Sequence, residues 1–515
     1  MRMMKIWALG TSIGLVGMAA LLFVLYSLRE DHSLVVDSAP ESAKMVTVPL
    51  QEEITSFWND QALKAEQAGQ ADVAAVYRAR IAAHAAGVPS TLPLSASGTP
   101  ALNPSASVQL YVRSASPAAS AALAAPAKHE PVSGVYLGML GADRRVGYDV
   151  NKIEPVYGRR HALYLAYVGW RKVQTDTNTY FPQRTAERVQ ALGGALQIGW
   201  EPRYGLDDVL DDEYVRRFAR EAKASGMPIF LRYASEMNGA WVPWHDTPTK
   251  YIEKFRLIHD IMAEEAPNVA MVWSPNFWPP ETIDAYYPGD AYVDWVGFSL
   301  YTSPILNGEE HFQGTLIDTF APLYAKYSHK PIMISEGAVA HTSLKTNKSY
   351  WTWAEGQFQY MYGLLPRLFP QVKGITYFNF SRAQAQRTNG EFVYDIGENP
   401  YMDGLYQRMV QSNWFLSKVE PGLNPVPYRY TQLTGPSLPA GKSSVIAYPK
   451  LDHAAGEPPF VVALYQGKQR IGVSYEAPWE MNIQVDAAAA SEPWYLVTFN
   501  EKLEPTAIGS GSAKP

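Results

Sequence analysis

Eight short apolar runs recur between residues 134 and 380, and amphipathic stretches separate several of them. The runs are GVYLGML (Gly134–Leu140), HALYLAYVGW (His161–Trp170), GALQIGWEP (Gly194–Pro202) and MPIFLRYASEMN (Met227–Asn238). They continue with VAMVWSPN (Val269–Asn276), DWVGFSLY (Asp294–Tyr301), KPIMISEGA (Lys330–Ala338) and VKGITYFNF (Val372–Phe380). Asp212–Gly226 and Thr249–Ala266, between such runs, carry apolar residues at helical spacing. Parallel strands need a long crossover, and an amphipathic helix supplies one, so strands alternating with helices predict a parallel sheet. Eight units in about 250 residues predict a (β/α)8 barrel. The other arrangement open to such a pattern is a doubly wound sheet. That fold usually places a Gly-rich phosphate loop after its first strand, and GMLGADRR (Gly138–Arg145) fits that loop poorly.

A chain of 515 residues holds more than one domain. Ile6–Leu28 contains no charge and is long enough to span a hydrocarbon core of about 30 Å as a helix. Arg2 and Lys5 precede it, so its N-terminus is expected on the cytoplasmic side and the bulk of the chain outside, periplasmic or extracellular. A cleaved signal peptide is the competing reading, but no A-x-A-like site follows Leu28. The expected organisation is a tip and transmembrane anchor over 1–30, a helical stalk and Ala/Ser/Pro-rich linker over 31–130, the barrel over 131–420, and a β-sandwich-like domain over 421–515. The stalk is the helical hairpin of Val48–Gly87, a spacer or a docking site for an envelope or polysaccharide-secretion protein. The net charge of −6 gives no reason to expect a nucleic-acid partner. The absence of cysteine excludes disulfides and thiolate metal sites. The 32 tyrosines and 14 tryptophans need a core to fill or a flat amphipathic ligand to meet, and sugars are such ligands.

Chemistry in a barrel sits where the strands end. The fourth run ends near Glu236 and the seventh near Glu336. Either glutamate alone would be read as an ion-pair partner or an exposed residue. Together they suggest a retaining glycosidase, one protonating the leaving oxygen and the other attacking the anomeric carbon, with about 5–5.5 Å between carboxyl groups. Alternation puts Arg232, Ala234 and Glu236 on one face, with Arg232 deeper as a countercharge. Tyr301 ends the sixth run within reach of the nucleophile. Trp170, Trp200, Trp241, Trp244, Trp273 and Trp278 lie at or just after strand ends, and about half should be sugar platforms, the rest core. Asn238 turns the chain, with Gly239, and Asn276 closes the fifth run. Glu201 either orients substrate or pairs with Arg203. The mechanism calls for no cofactor and no metal.

RYASEMNGAWVPW, VWSPN, YYPGDAYVDWVGFSLY and PIMISEGA occur in this order, and together they resemble glycoside hydrolase family 26, β-mannanase-like retaining hydrolases built on a (β/α)8 barrel. The resemblance covers about Gly134–Phe380. It implies Glu236 as acid/base, Glu336 as nucleophile and Tyr301 as the nucleophile's hydrogen-bond partner. It also implies that Trp241 and the strand end near Phe378 line subsites. One position departs: the family usually has histidine before the acid/base, and here it is Ser235. That departure, with the expected anchor, makes a bacterial exopolysaccharide as serious a substrate as β-mannan. A polysaccharide-binding assembly protein of weak or no activity, or a transglycosylase, are the alternatives.

Overall fold

A computed structural model describes residues 48–94, 100, 107–115 and 126–510, apart from 246, 313, 388–389, 421, 424–425, 427 and 451–458. The expected span Ile6–Leu28 lies outside the described residues; among them no helix is long and apolar enough to cross a membrane. The chain divides into two units, residues 1–56 and 57–515. Of the first, only the opening turns of helix α1 (Val48–Gln67) are described. The second holds everything that follows.

Eight parallel strands close into a barrel. An earlier strand, β1 (Ser107–Ala115), precedes them; they are β2 (Val135–Ala142), β3 (Leu163–Gly169), β4 (Ala195–Glu201), β5 (Ile229–Tyr233), β6 (Val269–Trp273), β7 (Trp295–Thr302), β8 (Ile332–Val339) and β9 (Val372–Phe380). Neighbours pair in sequence order, and β9 returns to β2 through seven register positions, Gly374↔Tyr136 to Phe380↔Ala142. Every residue of β2, β5, β6 and β8 is buried, as expected of strands covered on both faces.

Helices wrap the outside: α3 (Ile153–Tyr157), α4 (Gln183–Ala191), α5 (Glu213–Ala224), α6 (Pro248–Glu265), α7 (Leu316–Tyr327) and α8 (Trp351–Gln359). Local chemistry sets their starts. Asp212 caps α5 by accepting from the N–H groups of Tyr214 and Val215. Thr315 and Asp318 form a reciprocal capping box on α7. In α5 the buried Tyr214, Val215, Phe218, Ala219 and Ala222 make one stripe toward the sheet.

The flanks differ from the sequence expectation in two respects. The hairpin of α1 and α2 (Ala71–Ala86) does not stand off as a stalk. From Phe57 onward it packs on the rest of the unit. Arg80 is buried, donates to Glu355 of α8 and to the Tyr401 hydroxyl at 3.1 Å, and reaches the Tyr475 carbonyl at 3.2 Å. Nor is the whole of 89–131 a linker. Val88 and Leu92 join an apolar cluster with Phe460, Val461 and Phe499, and Ser107–Ala115 forms β1.

β1 pairs antiparallel with β10 (Tyr428–Gln432) on one side and β11 (Gly441–Lys450) on the other. With β14 (Glu480–Val485) they make one four-stranded sheet, ordered β10–β1–β11–β14. The second sheet contains β12 (Val461–Gln466), β13 (Gln469–Ser474), β15 (Trp494–Phe499) and β16 (Pro505–Ser510), ordered β13–β12–β15–β16. Gly472 lies against Met481 and Ile483, and Gly509 against Val108, so the sheets pack face to face. One of the two inner strands of the first sheet therefore comes from the segment that reads as low-complexity sequence.

Candidate active site

The barrel interior near the mouth is polar on one side and apolar on the other. The polar side is built on Arg232, which points inward from β5 and is fully buried. Its Nη1 donates to Glu336 Oε2 at 2.9 Å, its Nε to the Ser274 hydroxyl at 3.1 Å and its Nη2 to the Ser299 hydroxyl at 3.3 Å. A buried guanidinium with a carboxylate and three hydroxyls around it, those of Ser274, Ser299 and Tyr167, is a paired charge, the condition for keeping one out of water.

Glu336 reaches this position through a β-bulge. Pairing of β8 with β7 runs Ile334↔Phe298 and then Glu336↔Ser299, so Ser335 is the extra residue. The bulge turns consecutive side chains inward. The Ser335 hydroxyl meets that of Ser274 at 2.7 Å, and Glu336 meets Arg232. Two tyrosine hydroxyls also donate to Glu336: Tyr301 to Oε1 and Tyr167 to Oε2. Burial, together with the Glu336 charge, pushes both hydroxyls well above the ordinary tyrosine value, so both stay protonated donors. Tyr167 was not singled out from sequence. Its signal is the inward register of β3 and a glycine opposite: a Cβ on Gly199 would lie 2.7 Å from the Tyr167 ring.

Glu236 is not on a strand. β5 ends at Tyr233, and the chain turns through Ala234 (φ 47°) and Glu236 (φ 60°). Left-handed backbone at two non-glycine residues costs on the order of 1–2 kcal/mol each. The Glu236 N–H bonds the Ser274 carbonyl at 2.8 Å, which holds the turn against the end of β6. Asn276 Nδ2 donates to Oε1 at 2.9 Å and Trp241 Nε1 to Oε2 at 2.7 Å, and the Ser299 hydroxyl lies near the same carboxyl. Arg232, bonded to Glu336 and to Ser299, thus brings the buried cation of one glutamate close to the other. Burial and then the Glu336 charge raise the Glu236 carboxyl above its ordinary range; the donors Trp241, Ser299 and Asn276 pull it partly back.

The remaining expected residues divide by burial. Trp200 and Trp273 are fully buried, and Trp200 stacks on Phe218 of α5. Trp170 packs on Trp200 with ring centroids 4.4 Å apart, and Trp244 is buried with its Nε1 on the Ser235 carbonyl at 2.8 Å. These four are core, not sugar platforms, because helices and loops cover the strand ends that carry them. Asn238 is buried as a strut: its Nδ2 bonds the carbonyls of Asn276 and Pro279, and its Oδ1 accepts the Asn276 N–H. Glu201 pairs with Arg203, Nη2 to Oε2 at 2.6 Å. Phe378 is half-buried between Tyr167, Tyr301 and Phe380.

Trp241 and Trp278 remain open to solvent, 54% and 58% exposed. Trp241 lies over Gly239, where a Cβ would come within 2.2 Å of the indole. The exposed large aromatics among the described residues are Tyr148, Tyr180, Tyr204, Trp241 and Trp278. They sit on the loops that follow β2, β3, β4, β5 and β6, one on each. Five consecutive loops at the C-terminal face thus present one aromatic apiece.

A closed parallel barrel with two neighbouring carboxyls at its C-terminal mouth defines the class: a (β/α)8 domain whose site is made of strand ends and loops. The profile of glycosyl hydrolase family 26 matches residues 207–363, which include both glutamates. Over that segment the barrel is similar to glycosyl hydrolase family 26. Among curated proteins the chain is 31% identical over 219 residues to Endoglucanase H of Acetivibrio thermocellus, covering 39% of this chain and 24% of that protein. It is 28% identical over 212 residues to Beta-1,3-xylanase TXYA of a Vibrio species, covering 36% of this chain and 43% of that protein. The chain thus spans less than half the length of either relative. Among solved structures, a Cellulomonas fimi endo-beta-1,4-mannanase double mutant is similar at 16% identity and a TM-score of 0.42, covering 71% of this chain and 90% of that one.

Proposed function

We propose that this protein is a retaining glycoside hydrolase that cuts within polysaccharide chains, with Glu236 as acid/base and Glu336 as nucleophile. The observation that carries the reading is the contrast between the two carboxyls. Glu336 is held by Arg232, Tyr301 and Tyr167, which orient it and supply a countercharge. Glu236 carries no cationic partner among its bonds, and burial beside Glu336 favours its protonated form. A carboxylate paired with a buried cation, beside a second carboxyl whose protonated form is favoured, fits one nucleophile and one acid.

In this reaction Glu336 attacks the anomeric carbon while the Glu236 carboxyl gives its proton to the leaving oxygen. A glycosyl–Glu336 ester forms. Glu236, now a carboxylate, takes a proton from water, which displaces Glu336 from the same carbon and retains the anomeric configuration. The row of exposed aromatics suits a chain lying across the mouth, hence internal cleavage. The names of the two curated relatives point to polysaccharide backbones; β-mannan or a bacterial exopolysaccharide is the substrate class proposed here, with Ser235 in the position before the acid.

The test is reducing-end release from mannans, mixed glucans, xylans and bacterial exopolysaccharides, with Glu336→Ala alongside. Wild type should release ends from at least one polymer, and Glu336→Ala should lose the rate while keeping binding. Glu236→Ala should slow poor leaving groups far more than activated aryl glycosides, because only the former need protonation. Wild-type rates in both variants would refute the assignment. We also propose that Ile6–Leu28 anchors the protein in a membrane with the barrel outside. Retention in carbonate-washed membranes is expected, and release by carbonate would reject the anchor.

A further inference from the structure

The barrel wall opens beside the nucleophile. β2 and β3 pair only at Gly138↔Leu163 and Met139↔Tyr164. Beyond that point β2 stays paired with β9 as far as Ala142, and β3 with β4 as far as Gly169. The two strands therefore splay toward the mouth, and a pocket of about 420 Å³ occupies the seam. Leu140, Leu165, Phe378 and Phe380 line it from the barrel side, and Val146 and Ile153 from the loop and helix outside. Tyr167 joins it to the catalytic centre, since its ring lines the pocket and its hydroxyl donates to Glu336.

The chemistry of this lining is unusual for a place where a sugar chain is expected. No lining residue carries a charge or an amide; the polar side-chain atoms are the hydroxyls of three tyrosines and Thr185. An unmodified sugar ring brings several hydroxyls, and each that loses water without gaining a partner opposes binding. Esterification replaces a hydroxyl donor by an apolar methyl or chain, which this lining suits. The volume is in the range of sites for small organic ligands, enough for a sugar unit with its substituents.

We propose that the seam pocket binds an O-acylated sugar unit, so that the preferred substrate is an acylated, most simply acetylated, polysaccharide. The proposal rests on the hydrolase reading above and narrows its substrate class. No covalent step is assigned to the pocket; the ester is held, not cleaved.

The test uses the full chain and two polymers, glucomannan and xylan, each unmodified and chemically O-acetylated. On whichever backbone is cut, wild type should show kcat/KM about tenfold or more higher for the acetylated form, the scale at which a buried apolar group discriminates substrates. Thr185→Trp, placed at the partly exposed outer wall in the first turn of α4, should bring that ratio close to one. Equal rates for wild type on both forms, or an unchanged ratio in Thr185→Trp, would overturn the proposal. Binding of acetylated and unmodified oligosaccharides to the Glu336→Gln variant by calorimetry reads the pocket without turnover. If neither polymer is cut, the hydrolase reading fails for these two backbones. A calorimetric preference for the acetylated ligand would then still support the pocket, and equal binding would reject it.

Discussion

Trp241 does two things at once: its indole faces solvent over Gly239, and its N–H holds Glu236 Oε2 at 2.7 Å. Trp241→Phe keeps a ring and removes the donor, one of the interactions that lower the Glu236 carboxyl. The acid must be protonated to work, so the alkaline limb of the kcat/KM profile should move to higher pH in this variant. A limb that stays in place or moves down would show that the bond does not act on the acid. Tyr167→Phe removes one charge-assisted hydrogen bond from Glu336 and should lower kcat by about 10- to 100-fold with the melting temperature nearly unchanged. Asp395 offers a readout on stability. Burial, and then the Asp143 charge, push its carboxyl up to about 6. The folded state therefore binds more protons than the unfolded state between about pH 4 and 6, and this group's contribution to stability falls as pH rises through that window. Asp395→Asn should raise the melting temperature more at pH 8 than at pH 4, by about 1–3 kcal/mol in stability terms. At this scale the sequence was uneven evidence. Arg232, Glu236 and Glu336 were legible because strand ends converge in a barrel. Tyr167 was not, since its role depends on the register of β3 against Gly199. Trp170, Trp200 and Trp273 were misleading, because a strand-end tryptophan faces either the mouth or a covering helix, and neighbouring sequence does not say which.

Among the elements, the eight barrel strands were readable because burial on both faces leaves unbroken apolar runs. The turn after β5 and the bulge in β8 were not. The first departs from the alternation by which Glu236 had been placed on a strand face, and the second inserts Ser335 just before Glu336. β1 was hidden for another reason: SVQLYVRSA sits in Ala/Ser/Pro-rich surroundings, and its partners lie more than 300 residues away. Leu110, fully buried on β1, tests whether this strand holds the sheet together. Leu110→Asp should cost about 3 kcal/mol or more and lower the melting temperature of the β domain. A melting curve identical to wild type would place β1 outside the cooperative fold. The helical hairpin has its own test in Arg80. Arg80→Ala leaves the Glu355 carboxyl buried without its cation and should cost about 3–5 kcal/mol.

For the molecule as a whole, the interleaving of β1 and the two sheets decides how long a chain is needed. Residues 57–515 form one unit, and its all-β part contains strands from both ends of that unit. A fragment starting at residue 131 lacks β1 and the hairpin, and leaves β10 and β11 without the strand between them. A fragment starting at residue 57 keeps both. The shorter fragment should aggregate or unfold at a lower temperature while the longer one matches the full chain, as differential scanning would read directly.

The same interleaving has a temporal side. Chains are made from the N-terminus, so β1 emerges more than 300 residues before the partners that flank it, with the whole barrel made in between. The barrel can close as soon as β9 is available. β1 must wait, with its backbone groups unpaired, until β10 and β11 arrive. A stop between Phe380 and Tyr428 would leave a closed barrel with an unpaired strand upstream of it, and such exposed edges invite aggregation. Maturation of this protein therefore has strands made after the barrel, β10 and β11, reaching back to settle a strand made before it.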